Sequence, residues 1–301
     1  MRIAIAFDVL EANILNTNLT EDDHPVWDIA TAYLEGSRVV YNHWIYEAIA
    51  DHTGQNPEGA EASTHWLIVG ATNKWRPFDK YITDQAINSA GDTIDYSFGG
   101  FSAPASSVVC FGLSGETASL TVTDPADGEV YSKTVSLVDT SLIVDAYSYA
   151  FEPSRVRSEA VFNGIPPYLA AQIDLTVTDT AENPKVGQIV VGRDYDVGIT
   201  QYGSGISIED YSTKERDDWG NAHVVERPFA KLVDYDFVLP TQRARRAAIL
   251  LETIRATPAV FFAGSDTDHY GTTVYGYYRS WDITLSGPNI SNATMEVEGL
   301  T

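Results

Sequence analysis

From Asp79 to about Gly198 apolar residues recur at every second position in short runs, and turn residues close each run. Ile94, Tyr96 and Phe98 alternate with polar neighbours, as do Leu120 and Val122, and Ile173, Leu175 and Val177. A period of two puts one face of a strand on a core and the other toward water, which a helix cannot reproduce. Asp124-Pro125-Ala126-Asp127-Gly128 combines two strong turn dipeptides and feeds the next run, Val130 to Leu137. Tyr147, Tyr149 and Phe151 alternate ahead of Glu152-Pro153, whereas Ile189, Val190 and Val191 form a continuous apolar run of the kind buried on both faces. Seven or eight such strands predict a β-sandwich of jelly-roll type over residues 75–198.

The flanking segments differ in style. Residues 1–74 open on a strand pattern (Ile3, Ile5, Phe7) and then read as a small aromatic β module. Residues 199–301 carry Ile206 and Ile208, then a polar excursion from Tyr211 to His223 with Trp219-Gly220-Asn221 at its tip, a hairpin long enough to project. Phe229 to Leu239 reads as a strand, and Pro240 as the start of the one helix, which ends near Ala256 before Thr257-Pro258. Its apolar positions Ala247, Leu250, Leu251 and Ile254 have helical spacing. Val260 to Ala263, Val274 to Tyr278, Trp281 to Leu285 and Thr294 to Leu300 complete a sheet. The expectation is a mainly β chain in three parts, divided near residues 75 and 199.

Charge narrows the partners. A net charge of −23 repels DNA and anionic membrane, so nucleic-acid binding and membrane insertion are not expected. The same acidity serves solubility, in saline water for example, or presents a face to a basic partner, and both readings stand. No apolar stretch approaches the ~20 residues of a spanning helix, and Asp8 interrupts the opening apolar run before any export pattern forms. The single cysteine, Cys110, lies within Val108-Val109-Cys110-Phe111 and reads as a small core hydrophobe.

No catalytic constellation emerges. Gly112-Leu113-Ser114-Gly115 has the wrong spacing for a nucleophile elbow, and Gly203-Ser204-Gly205 lacks the third glycine of a dinucleotide site. The six histidines show no ligand spacing, Asp266, Asp268 and His269 read as a hairpin loop, and Asp92, Asp95, Asp124 and Asp127 lack the spaced oxygen ligands of a calcium loop, most of them reading as turn formers. Neither enzyme activity, nor a metal, nor a cofactor is expected, and a degradative enzyme ranks third among the readings.

Two resemblances add to this. The segment from Trp27 to Gly70 is similar to small chitin- and cellulose-binding modules at Trp27, Tyr33, Gly36, Val39, Tyr46, Ala48, Asn56, Pro57 and Trp66. It departs from them at Ser37, where an acidic residue is usual, and at the Asn42-His43-Trp44 turn. The resemblance implies stacking of sugar rings on exposed aromatics, for which Trp27, Tyr41 and Trp44 are the candidates. The competing reading is a module that spends its aromatics on its own core. More broadly, WLIVGATNKWRPFD, TVTDPADGEVYSKTVSLVD, QIVVGRDYDVG, VVERPFAKLVDYDFVLP and MEVEGL resemble a family of tailed-bacteriophage structural proteins encoded among tail genes. That resemblance implies a virion tail or head–tail component made in the host cytoplasm. Its partners would be further copies of itself and other tail proteins, with a host-surface glycan as the alternative. A β-sheet covered by one helix with a projecting hairpin is also how ring-forming tail subunits are built, by analogy of fold. The candidate subunit interface pairs Arg243, Arg245 and Arg246 near the helix start with Glu215, Asp217, Asp218 and Trp219 on the excursion.

Overall fold

A computed structural model describes all residues except 60–61, 140–143, 146, 148–150, 152–154, 218, 265–270 and 301. Asp218, Tyr149, Asp266, Asp268 and His269 lie outside the described residues. The protein is mainly β and organised by one curled antiparallel sheet of ten strands. Its order runs Glu159–Asn163, Ser107–Phe111, Gln188–Asp196, Arg2–Ala6, Ala259–Phe262, Val274–Thr284, Ile290–Gly299, Phe229–Pro240 and Ile199–Thr200, and Gly205–Asp210 also pairs with Phe229–Pro240. A second sheet of five strands runs Gly128–Ser136, Thr117–Asp124, Gln172–Thr178, Thr93–Phe98 and Ile14–Thr17.

Side-chain parity explains how the layers stack. In Ser107–Phe111 every residue is buried, because the two faces meet different cores. Val108 and Cys110 point with Phe162, Ile189 and Val191 toward Tyr96, Phe98, Leu120 and Leu175 of the five-stranded sheet. Val109 and Phe111 point the other way, to Ala4, Val190, Val260, Phe262 and Tyr275. This makes the sandwich, and the two apolar runs legible in the sequence are its doubly covered strands. Cys110 is fully buried there, and burial pushes its thiol up to about 12.

Further along, the same sheet face turns to a different cover. Ile3, Phe261, Val274, Tyr235, Phe237, Met295 and Val297 pack against Ala247 and Leu251 of the helix Ala244–Thr253 and against Ile254, which caps its end. The predicted helical stripe is therefore the buried face, with Leu250 partly buried beside it. The helix starts later than Pro240, however. Pro240 is the last residue of the long strand, paired with Ile290, and a 3-10 turn, Thr241–Arg243, intervenes. Proline at a strand terminus loses no ladder bond that the strand needs, so the same residue type fits either boundary. The helix ends at Thr253, and Ala256 turns the chain away with φ +57°.

Three further differences from the sequence expectations have local causes. Strand Arg2–Ala6 sits between Gln188–Asp196 and Ala259–Phe262, and Ile14–Thr17 pairs with Thr93–Phe98, so the sheets cross the divisions expected near 75 and 199. Val274–Thr284 is a single strand where two were expected; a bulge between Tyr278 and Ser280 absorbs the polar Arg279-Ser280 pair. Arg279 there meets Glu209, Glu296 and Glu298 within 3.5 Å. Tyr147 and Phe151, expected to alternate in a strand, each have helical backbone, and their rings lie 4.8 Å apart.

Candidate functional site

The aromatic module is a three-stranded sheet, Arg38–Tyr41, Trp44–Ala48 and Trp66–Ala71, beside a two-stranded pair, Ala32–Tyr33 with His52–Thr53. Its core is Tyr33, Val39, Tyr46, Ala48 and Trp66. Trp66 donates its indole N–H to the Gln55 carbonyl at 2.9 Å, and the Tyr33 hydroxyl accepts the Asp28 amide at 2.7 Å. These aromatics are structural, as a module this small requires.

The three candidates for sugar stacking are all half-buried against that core. Trp27 and Tyr41 meet edge to face, centroids 5.5 Å apart and planes at 82°, so they pack on each other and do not form one flat platform. Trp44 is Tyr41's partner across the hairpin turn Asn42-His43, whose φ values of +47° and +71° are those of a two-residue type I′ connection. Trp44 also lines a cleft of about 350 Å³ with Leu10, Glu11, Asn42, Trp75 and Asp79.

That turn docks the module onto the body. The His43 ring lies over Trp75 at 4.1 Å and 30°, and its Nδ1 is 2.8 Å from Glu21, which also accepts the Thr72 hydroxyl at 2.8 Å. Phe78, at the far end of the same WRPFD segment, sets its ring edge-on to Tyr96 and Phe98 in the sandwich core. Trp66 to Asp79 thus runs from the core of the module to that of the sandwich.

Desolvation pushes the Asp79 carboxyl up to about 7, against the Tyr81 amide that hydrogen-bonds it. The sign is definite: the folded state holds a proton here that the unfolded chain releases near pH 4, so stability falls as pH rises from there toward 7. Asp79→Asn keeps the acceptor oxygen and removes the ionisation. The variant should match the parent below pH 4 and exceed it above pH 7. Discounted for half-exposure, the gain is about 1–2 kcal/mol, to be read from urea melts at both pH values.

The excursion expected from Tyr211 to His223 is a ribbon, Thr213–Arg216 paired with Ala222–Val225, that belongs to neither large sheet. Asn221 through Phe229 are exposed without interruption, including Val224, Val225 and Phe229. Its tip is built by Asp217, whose carboxylate accepts the amides of Trp219 at 3.0 Å and Asn221 at 2.7 Å, and the Asn221 side chain at 2.8 Å. These bonds, with Gly220 at φ +87°, fix the tip and hold the Asp217 carboxyl below the usual carboxylate range. Trp219 stands on that tip 88% exposed. Glu215 is exposed on the ribbon, opposite His223, and Lys214 pairs with Asp210 at the base at 2.6 Å.

The three arginines sit apart from the ribbon. Arg243 immediately precedes the helix and pairs with Asp196 of its own chain at 3.6 Å, while Arg245 and Arg246 are exposed in the first turn. A groove of about 620 Å³, which the sequence did not signal, separates this helix from residues 193–197. Arg193, Arg243 and Arg246 line it, with Ile249 and Leu250 on the helix side. Among the described residues, no ion pair within one chain joins Glu215 or Asp217 to Arg243, Arg245 or Arg246. Among the described residues, no group of three or more His, Cys, Asp or Glu is placed to hold a metal. The Asp124 carboxylate accepts the amides of Ala126 and Asp127, as a turn former does.

No protein-family model matches the chain, and no curated protein is similar to it.

Proposed function

We propose that this protein is a structural component of a bacteriophage tail or head–tail region that assembles as a symmetric oligomer. The observation that carries the assembly is the free-standing ribbon. A two-stranded hairpin without a third strand or an apolar face against a core is marginal in water, yet this one displays Trp219, Val224 and Val225 to solvent. A neighbouring chain would supply the missing cover. Placement in a tail rests on the sequence resemblance, and the helix-covered curled sheet with its projecting hairpin agrees with it as an analogy of fold.

Velocity sedimentation of the full chain across a concentration series, with negative-stain imaging of the heaviest species, tests the assembly. Closed rings or stacked rings are the expected result. A monomer at every concentration would remove this reading.

A second reading, a virion-surface adhesin for host glycan, is favoured by one observation: Trp44 lines a cleft together with the Glu11 carboxylate, which can accept from sugar hydroxyls. On this reading Trp44→Ala abolishes retention on a chitin or cellulose column. The loss of half-buried packing would lower stability by only about 1–2 kcal/mol. A parent protein that no polysaccharide retains would exclude the adhesin while leaving the assembly untouched.

A further inference from the structure

Resting on the assembly reading above, we infer that Trp219 of one copy seats in the groove between helix Ala244–Thr253 and residues 193–197 of the next copy. Four observations converge on this pairing of surfaces. The first is the anchor. Asp217 accepts the backbone amides of Trp219 and Asn221, so the turn that carries the exposed indole is held in place and less backbone freedom remains to be lost on docking. Buried aromatics of this kind dominate interface energetics.

The second is the shape and lining of the groove. At about 620 Å³ it admits an indole with room for the flanking turn, and Ile249, 53% exposed, offers an apolar wall beside Leu250 and Ala247. The third is cationic. Arg193 and Arg246 lie on the groove wall, and neither meets a carboxylate within 4.0 Å among the described residues; nor does Arg245 beside them. A guanidinium over an indole face is a favourable contact that strengthens on desolvation.

The fourth is charge. In a chain with 42 acidic and 19 basic residues, this surface gathers Arg193, Arg243, Arg245 and Arg246 against Asp194 and Asp196. Arginines in a first helical turn also oppose the helix dipole, a cost that a neighbour's carboxylates would offset. Glu215, exposed on the ribbon four residues before Trp219, supplies one, and the negative charge of Asp217 at the tip adds to it. Ribbon and groove are different patches of one chain, so the contact is heterologous and propagates around a ring or along a filament.

The test uses two variants of the full-length protein, each altered at an exposed position: Trp219→Ala removes the anchor and Ile249→Asp closes the groove to it. Each alone should raise the concentration of half-assembly by roughly thirtyfold, the size of a hot-spot loss. Mixed in equal amounts, they should form a dimer and nothing larger, because the first supplies an intact groove and the second an intact ribbon. A ribbon that pairs with another ribbon gives a different pattern: Trp219→Ala fails while Ile249→Asp assembles like the parent. That outcome, or a mixture that stays monomeric, overturns the groove assignment but leaves assembly standing. A parent that never assembles overturns both. Far-ultraviolet circular dichroism and unchanged unfolding curves for each variant exclude misfolding as the cause.

Discussion

Truncation of Leu251 to alanine is expected to lower the free energy of unfolding by about 3–5 kcal/mol, among the largest losses open to a single side chain here. Leu251 is fully buried where the helix meets Tyr235, Phe237, Phe261 and Met295, and the cavity it leaves is walled by sheet residues that the ladder holds in place. Two positions away, Ile249 faces solvent on the same helix. Ile249→Ala should change stability by no more than about 0.5 kcal/mol while weakening assembly. Chemical denaturation of both variants, with sedimentation alongside, reads the two effects separately. Equal stability losses would mean that the helix is not clamped by its Leu251 face.

A second large effect is expected at Gly276, on the strand Val274–Thr284. A Cβ there would lie 1.9 Å from the Glu298 carbonyl oxygen and 2.8 Å from Cα of Gly299, both backbone atoms of the paired strand. Neither can retreat without breaking the ladder that joins Val274–Thr284 to Ile290–Gly299. Gly276→Ala is expected to cost at least about 3 kcal/mol, or to yield insoluble protein. Gly205, with open space around its Cα, is the control, and Gly205→Ala should leave the melting temperature within a few degrees of the parent. Thermal unfolding of the soluble fraction distinguishes the two positions. If Gly276→Ala melts with the control, the close approach of these strands is relaxed in solution.

Local chemistry was enough for much of this architecture. Alternation at Ile94, Tyr96 and Phe98 specified a strand with one buried face, because parity along a strand depends on nothing outside it. The continuous run at 189–191 specified a strand covered on both sides, and the spacing of Ala247, Leu251 and Ile254 specified the buried stripe of the helix. The aromatic module was legible for the same reason, since its contacts lie within about forty residues of chain.

What only the tertiary structure decided is which strands become neighbours. The strand Arg2–Ala6 belongs to the middle of a sheet whose adjacent strands come from residues 188–196 and 259–262, and hydrogen-bonding capacity carries no address. Pro240 was ambiguous between strand end and helix start because proline suits both, and only pairing with Ile290 resolved it. The groove beside the helix is a product of that assembly, its walls drawn from residues 193–197 and 243–253, and no local pattern marks it. Asp217 shows the same division within one side chain. Its sequence context marks it as an exposed acid, but the fold spends both of its oxygens on the hairpin tip, because two amides and an amide side chain converge there once Gly220 turns the chain.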